Sequence, residues 1–230
     1  MRVLITGAQS DITQALKTHF QYKEHDVFLT TSQTAEPPNV FHFDLSQPAL
    51  SPEFESFLRK GVDVVVLNAA TPTYRLGTLE KLDFSELDQF LKANIQGNLF
   101  LLQKILPVMK AQNFGRLVFI SSQTAVLPVT GYSVYGASKS AMETVMKYIA
   151  AEYGDSNITA NSLRLGVIHT KRNDKFIRRS SIKERMLSSI ALKRLGRPQD
   201  LFHVMDALID QDSYIQGTVI DVAGGMTAPY

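Results

Sequence analysis

Ser122, Tyr135 and Lys139 bring a hydroxyl, a phenol and an ammonium within eighteen residues of one another. Tyr135 and Lys139 are four apart, which on a helix puts them on one face, one turn from each other. Ser122 precedes Tyr135 by thirteen residues, across a loop that holds Pro128 and Gly131. The three groups can converge as a proton-transfer site. An ammonium beside a phenol favours phenolate, so Tyr135 is expected to exchange protons nearer neutral pH than its free value of about 10. Ser122 would hydrogen-bond a substrate oxygen while the phenol gives or takes its proton. Spacing alone is weak support, because a packed ring beside a solvated lysine stem is common at i, i+4.

Elements that could position these residues alternate along the chain. Short apolar runs at 3–5, 27–29, around 41–43, 62–67, 117–120, 158–165 and 219–222 predict strands. Helical patterns fall at 14–20, 52–59, 85–111, 136–153 and 198–209. Residues 62–67 are apolar at every position but Asp63, as in a strand buried on both faces. The alternation predicts an α/β fold of one domain, a doubly wound and mostly parallel sheet of about seven strands with helices on both faces. Such sheets bind ligands at the carboxyl ends of their strands, where strand order reverses. The candidate residues fall at those ends. Gly7, Gln9, Ser10, Asp11 and Ile12 follow the first strand, and Asn68, Ala69 and Ala70 the fourth. Ser122 follows the fifth, and Gly166, Ile168 and Thr170 follow the sixth.

Length and composition agree with one globular domain. The chain has 230 residues, 44% hydrophobic and 20% charged, so a sizeable core is expected. A net charge of +2 gives no ground for a nucleic-acid or membrane partner. The absence of cysteine excludes disulfides and thiolate metal sites, and the five histidines show no ligand spacing, so no metal is expected. A strand pattern begins at the first residues, with no signal segment ahead of it and no membrane-spanning apolar run. The expected location is cytoplasmic.

Taken in order, these residues resemble the short-chain dehydrogenase/reductase family over nearly the whole chain. The markers are Thr6-Gly7, Asp44-Leu45, Asn68-Ala69-Ala70, Asn94, Ser122, Tyr135 and Lys139, then Arg197-Pro198-Gln199-Asp200 and the run 217–225. The resemblance implies a Rossmann fold, a nicotinamide cofactor and hydride transfer between that cofactor and a carbonyl or secondary alcohol. It implies Tyr135 as acid/base, Ser122 as holder of the substrate oxygen, and Lys139 as ribose ligand that lowers the phenol pKa. Asn94 would hold a water that links Lys139 to solvent. Thr31, Ser32, Asp44 and Leu45 would border the adenosine, and Thr170 would meet the carboxamide. It also implies a two-fold pairing of the helices 85–111 and 136–153, giving a homo-oligomer, tetramer or dimer. Both helices carry apolar residues beyond one face, among them Ile95, Leu99, Phe100, Leu102, Ile105, Met142, Val145, Met146 and Ile149.

Four departures bear on function. The family's phosphate-loop glycines at positions 11 and 13 are Asp11 and Thr13. An aspartate there competes with phosphate for the helix N-terminus, and Asp11 is expected to be turned aside as an N-cap. Thr13 is expected to shift the helix or weaken binding. Leu165 replaces the family's proline and is expected to be simple packing. After the second strand, Thr30-Thr31-Ser32-Gln33 has neither acid nor arginine, and its hydroxyls favour NADP(H) over NAD(H) by a narrow margin. A loop with Pro37-Pro38 stands where a helix usually joins strands two and three.

Residues 171–197, the expected substrate lid, hold ten of the 24 Lys and Arg residues against Asp174 and Glu184. A solvated helical face explains such a run, and so does a positive lid that attracts an anionic or carrier-linked substrate. Phe176 is the one aromatic among the charges, which argues against nucleic acid. Tyr74 and Arg75 line the substrate mouth or occupy a surface loop of no role. The sequence therefore supports an NAD(P)-dependent oxidoreductase, working as a reductase on a small-molecule carbonyl. The alternative is a non-catalytic relative with weak or no cofactor binding, serving assembly or ligand sensing. Asp11 and Thr13 support the alternative; Asn94, Ser122, Tyr135 and Lys139 oppose it.

Overall fold

The computed structural model describes residues 1–34, 39–70 and 77–226. Tyr74, Arg75, Pro37 and Pro38 lie outside the described residues. Seven parallel strands form one sheet in the order β3-β2-β1-β4-β5-β6-β7. They are β1 (Arg2–Thr6), β2 (Asp26–Thr31), β3 (Val40–His42), β4 (Val64–Leu67), β5 (Gly115–Ser122), β6 (Ile158–Leu165) and β7 (Val219–Val222). Strand order reverses between β1 and β4, so a crevice opens at their carboxyl ends.

Alternate residues of the central strands feed two cores, as a doubly covered sheet requires. Val65 and Leu67 of β4 face α2 (Pro52–Arg59), α4 (Asn98–Gln112) and α5 (Ser133–Tyr153), with Leu4, Leu117 and Phe119. Val64 and Val66 face α1 (Asp11–Tyr22) and α8 (Phe202–Ile209), with Val3, Ile5, Val118 and Leu163. Ser51 starts α2 by accepting from the Phe54 amide, and Pro52 occupies its first turn.

The helix expected over 85–111 is not continuous. It runs as α3 (Phe84–Leu91), a π turn (Lys92–Gly97) and α4. Side chains bridge the turn: Asn98 Nδ2 donates to the Asn94 carbonyl at 2.9 Å, and Asn94 Nδ2 to the Phe90 carbonyl at 3.0 Å. A Cβ on Gly97 would come 2.2 Å from the Leu45 carbonyl oxygen, so only glycine lets the turn approach that loop. The segment 198–209 likewise opens with a 3-10 turn before α8. The lid segment contains two helices that the pattern did not reveal, α6 (Asp174–Ile177) and α7 (Ser180–Ser188).

The surplus apolar stripe is narrower than expected. Leu102, Ile105, Met142, Met146 and Ile149 are buried in the chain's own core. Ile95, Leu99, Phe100 and Val145 are half-buried against it. No helix among the described residues is long and apolar enough to cross a membrane.

Candidate active site

A cleft of about 1340 Å³ lies over the carboxyl ends of the strands. Its floor is the β1–α1 turn. Gly7 sits at φ +84°, where a side chain would be strained and would press on Ala69, 3.2 Å from its Cα. The Gly7 and Ala8 amides both donate to the Thr30 carbonyl, at 3.1 and 2.8 Å. Thr6 Oγ1 accepts from the amides of Asn68 at 3.0 Å and Ala69 at 2.8 Å. Hydrogen bonds therefore lock the first, second and fourth strand ends into one surface.

Thr13 belongs to this lock. Fully buried, its hydroxyl donates to the Thr6 carbonyl at 3.3 Å and accepts from Asn68 Nδ2 at 2.8 Å. The threonine thus joins α1 to β1 and β4 with its polar atom satisfied, where a glycine would join nothing. Asp11 departs from its expected role. Ser10 is the N-cap residue of α1, and Asp11 is the first helical residue. The Asp11 carboxylate accepts from the backbone amide of Lys171, where the lid segment begins. It is turned aside, as a tie between two loops rather than as a cap.

Gln9, Ser10, Asp11 and Ile12 line the cleft, and so do Thr31, Ser32, Asp44 and Leu45. Asn68, Ala69, Ala70, Gly166, Ile168 and Thr170 line it too. Asp44 is folded into its own turn, accepting from the Ser46 amide at 2.8 Å and Ser46 Oγ at 2.7 Å. Gln9 Nε2 donates to Gln33 Oε1 at 3.0 Å at the β2 end. Leu165 is buried among Leu163, Ile168 and Leu201, which accounts for it as packing.

Ser122, Tyr135 and Lys139 meet on the same cleft. Ser122 ends β5, and its Oγ accepts from the Thr124 amide at 3.2 Å and Thr124 Oγ1 at 2.9 Å. Gly131, at φ +83°, turns the chain into α5. Tyr135 and Lys139 then fall in the first two turns of that helix. The Ser122 hydroxyl acts on the Tyr135 phenol and favours its ionised form. The Tyr135 ring packs edge-on to Phe90 and Tyr132, with centroids 6.4 and 6.2 Å away.

Electrostatics here differ from the sequence expectation. Burial pushes the Tyr135 phenol above its ordinary pKa; Arg172 and the Ser122 hydroxyl oppose the shift. Lys139 does not supply that opposing charge. Its Nζ lies 5.6 Å from the centre of the Tyr135 ring and donates to the Ile120 carbonyl at 2.8 Å. Burial lowers the Lys139 pKa to about 8, against the pull of Glu143. Asn94 does not reach the main cleft. It borders a second cavity of about 20 Å³ beneath it, together with Lys139.

The charges of residues 171–197 divide. Arg178 pairs with Asp174 at 2.7 Å, and Arg194 with Asp200 at 2.6 Å, as a solvated surface would have it. Lys171 and Arg172 instead line the cleft. In the sequence Arg172 is one charge in a run; its electrostatic effect on Tyr135 comes from the turn after β6. His169 pairs with Asp174 at 3.1 Å.

Comparison with known proteins fits this architecture. The family model described as Enoyl-(Acyl carrier protein) reductase matches residues 28–227. The chain belongs to the short-chain dehydrogenase/reductase family. Dehydrogenase/reductase SDR family member 4 of Pongo abelii is 31% identical over 169 residues, 73% of this chain and 60% of that relative. The chain thus spans about 60% of the length of that relative. The 3-oxoacyl-(acyl-carrier-protein) reductase MabA of Mycobacterium bovis is 28% identical, over 97% of this chain and 92% of its own. Among solved structures, ElxO with NADP bound has a TM-score of 0.84 at 23% identity, covering 98% of each chain. A putative 2-deoxy-D-gluconate 3-dehydrogenase from Agrobacterium tumefaciens with bound NADP has a TM-score of 0.87 at 20% identity, covering 98% and 96%. Both likenesses carry the short-chain dehydrogenase/reductase fold.

Proposed function

We propose that this protein is an NAD(P)-dependent oxidoreductase that reduces a carbonyl to an alcohol. The observation that carries the reading is the meeting of Ser122, Tyr135 and Lys139 on one cleft with the β1–α1 turn. The residues present fit a dinucleotide. The N-terminus of α1 faces the cleft, the Ser10 side chain makes no cap bond with it, and the Asp11 carboxylate is held by Lys171. When bound, a nicotinamide dinucleotide supplies the hydride that the carbonyl carbon accepts. Gly7, Gln9, Ser10 and Ile12 would hold its phosphates, and Thr31, Ser32 and Gln33 its adenosine. NADP(H) is the cofactor we favour, since those side chains offer hydroxyls and an amide with no carboxylate to repel a 2′-phosphate. Lys139 would leave the Ile120 carbonyl or share its protons to reach the ribose.

In this reading Ser122 orients the substrate oxygen and Tyr135 gives it the phenolic proton. Burial keeps that phenol protonated at neutral pH, the form an acid in the reductive direction requires. Arg172 faces the phenol and favours the phenolate left behind. It also suits a substrate with an anionic group, free or attached to an acidic carrier; the names of the family model and of the Mycobacterium bovis relative point the same way. A titration with NADPH and NADH followed by a screen of carbonyl compounds tests the reading. Binding of NADPH ahead of NADH, with turnover of an anionic or carrier-linked carbonyl, is expected. Failure to bind either at millimolar concentration would favour a non-catalytic relative.

We further infer a homo-oligomer, tetramer ahead of dimer, built on the half-buried Ile95, Leu99, Phe100 and Val145 of the π turn, α4 and α5. Light scattering at micromolar concentration should give a multiple of 25.6 kDa. A mass that stays at the single-chain value refutes the inference.

A further inference from the structure

The mechanism above gives no part to Glu143, a buried carboxylate on the same helix stripe. Glu143 follows Lys139 by four residues and Tyr135 by eight, so α5 carries phenol, ammonium and carboxylate on successive turns of one face. Its side chain is 9% exposed. Oε1 accepts from Ser121 Oγ at 2.5 Å and from Arg164 Nε at 3.1 Å, and Oε2 accepts from Arg164 Nη2 at 2.7 Å. Both oxygens are thereby fixed by a guanidinium fork, and the carboxylate cannot swing away. Arg164 is anchored from the other side, donating through Nη1 to Asp221 Oδ1 at 3.2 Å. Lys139 and Glu143 border one small cavity with Asn94, Asn98 and Ser121, with room for about one water molecule. Bulk solvent therefore screens little of their interaction.

A buried ammonium with one hydrogen bond, to the Ile120 carbonyl, is costly to keep charged. We propose that Glu143 is a positioning residue for the reaction: fixed by Ser121 and Arg164, its carboxylate holds Lys139 as an ammonium one turn from Tyr135. Among the described residues, the charged groups around Lys139 are few. On α5 they are Tyr135 and Glu143; from β6 comes Arg164, and from the turn after β6 comes Arg172, facing Tyr135. β5 and the π turn offer the uncharged Ser121, Ser122 and Asn94 beside it. Asp11, Asp44, Glu86 and Lys171 line the wider cleft. Glu143 is the acid on Lys139's own stripe and at its own cavity. The competing account makes Glu143 a partner for Arg164 and nothing more.

This inference rests on the roles proposed for Tyr135 and Lys139, so its first measurement avoids turnover. Carbon-13 labelling of the lysine side chains allows Lys139 to be titrated by NMR, with Lys139→Met identifying its signal. In the wild type the titration is expected at about 8. In Glu143→Gln it should move down by about one unit or more. Glu143→Gln strands the Arg164 charge and can fail to fold for that reason alone. The double variant Glu143→Leu/Arg164→Met removes both charges together, leaving the neutral Ser121 hydroxyl as the buried group that loses its partner, and should lower the Lys139 titration in the same way. A titration unmoved in the folded double variant overturns the proposal and leaves Glu143 as a partner for Arg164. The second measurement is the pH profile of turnover, whose alkaline fall should move down with the NMR titration. A profile that stays in place while Lys139 shifts overturns the link to the reaction. A wild type that turns over no carbonyl counts against the proposed function instead, and the NMR arm stands apart from it.

Discussion

Tyr135→Phe lowers turnover by about 10²-fold or more and leaves cofactor affinity near the wild-type value. The phenylalanine ring keeps the edge-on contacts with Phe90 and Tyr132, so α5 and the cleft wall stay in place. Only the hydroxyl is lost, and with it the proton proposed for the substrate oxygen. Ser122 cannot replace that proton at comparable rate. A serine hydroxyl is a far weaker acid than a phenol, whether or not its oxygen accepts from Thr124. Turnover measured beside a cofactor-binding titration checks both halves. Near-normal turnover in the variant would remove Tyr135 from the acid/base role.

Much of this site was legible before the fold because its parts are local. Val64–Leu67 is apolar at every position, and the strand is buried on both faces. Pro52–Arg59 begins with Ser-Pro and ends in a basic turn, and the helix lies where those signals put it. Tyr135 and Lys139 need only helical spacing to share a face. What escaped the sequence depends on contacts far along the chain. The carboxylate of Asp11 ends on an amide 160 residues away, which no reading of the phosphate loop could supply. Thr13 looks like a defect in a glycine pattern until Asn68 is seen donating to it. The π turn keeps the apolar spacing of an ordinary helix, and the close approach of Gly97 to the Leu45 backbone joins segments about fifty residues apart. The phenol pKa was misjudged for a similar reason. The i, i+4 spacing puts Lys139 beneath the ring, but the Ile120 carbonyl holds its ammonium and burial decides the direction. Glu143 was readable as the next member of the stripe. A glutamate on a helix is ordinarily solvated, however, and its partner Arg164 lies on another element.

Gly136→Ala should be as damaging as the loss of a functional group, though the residue touches no substrate. Glycine inside a helix ordinarily costs about 1 kcal/mol relative to alanine, so propensity alone predicts a gain in stability. The sign reverses here because a Cβ at position 136 would come 2.4 Å from the Thr124 carbonyl oxygen. That oxygen belongs to backbone in the turn that Ser122 caps, so it cannot rotate out of the way as a flexible side chain could. Relief requires α5 to move off the turn. The movement carries Tyr135, the preceding residue, away from Ser122 at the end of β5. A misplacement of about 1 Å between groups that must act on one oxygen can cost about 10²-fold in rate. We therefore expect turnover to fall by about 10²-fold and stability by about 1–3 kcal/mol, the usual cost of overpacking. Cofactor affinity should change less, because the β1–α1 turn is locked separately through Thr6, Thr13 and Asn68. Denaturant unfolding, a cofactor titration and steady-state rates separate the three effects. A more stable variant with unchanged turnover would mean that the close approach of α5 to Thr124 does not set the Ser122–Tyr135 geometry.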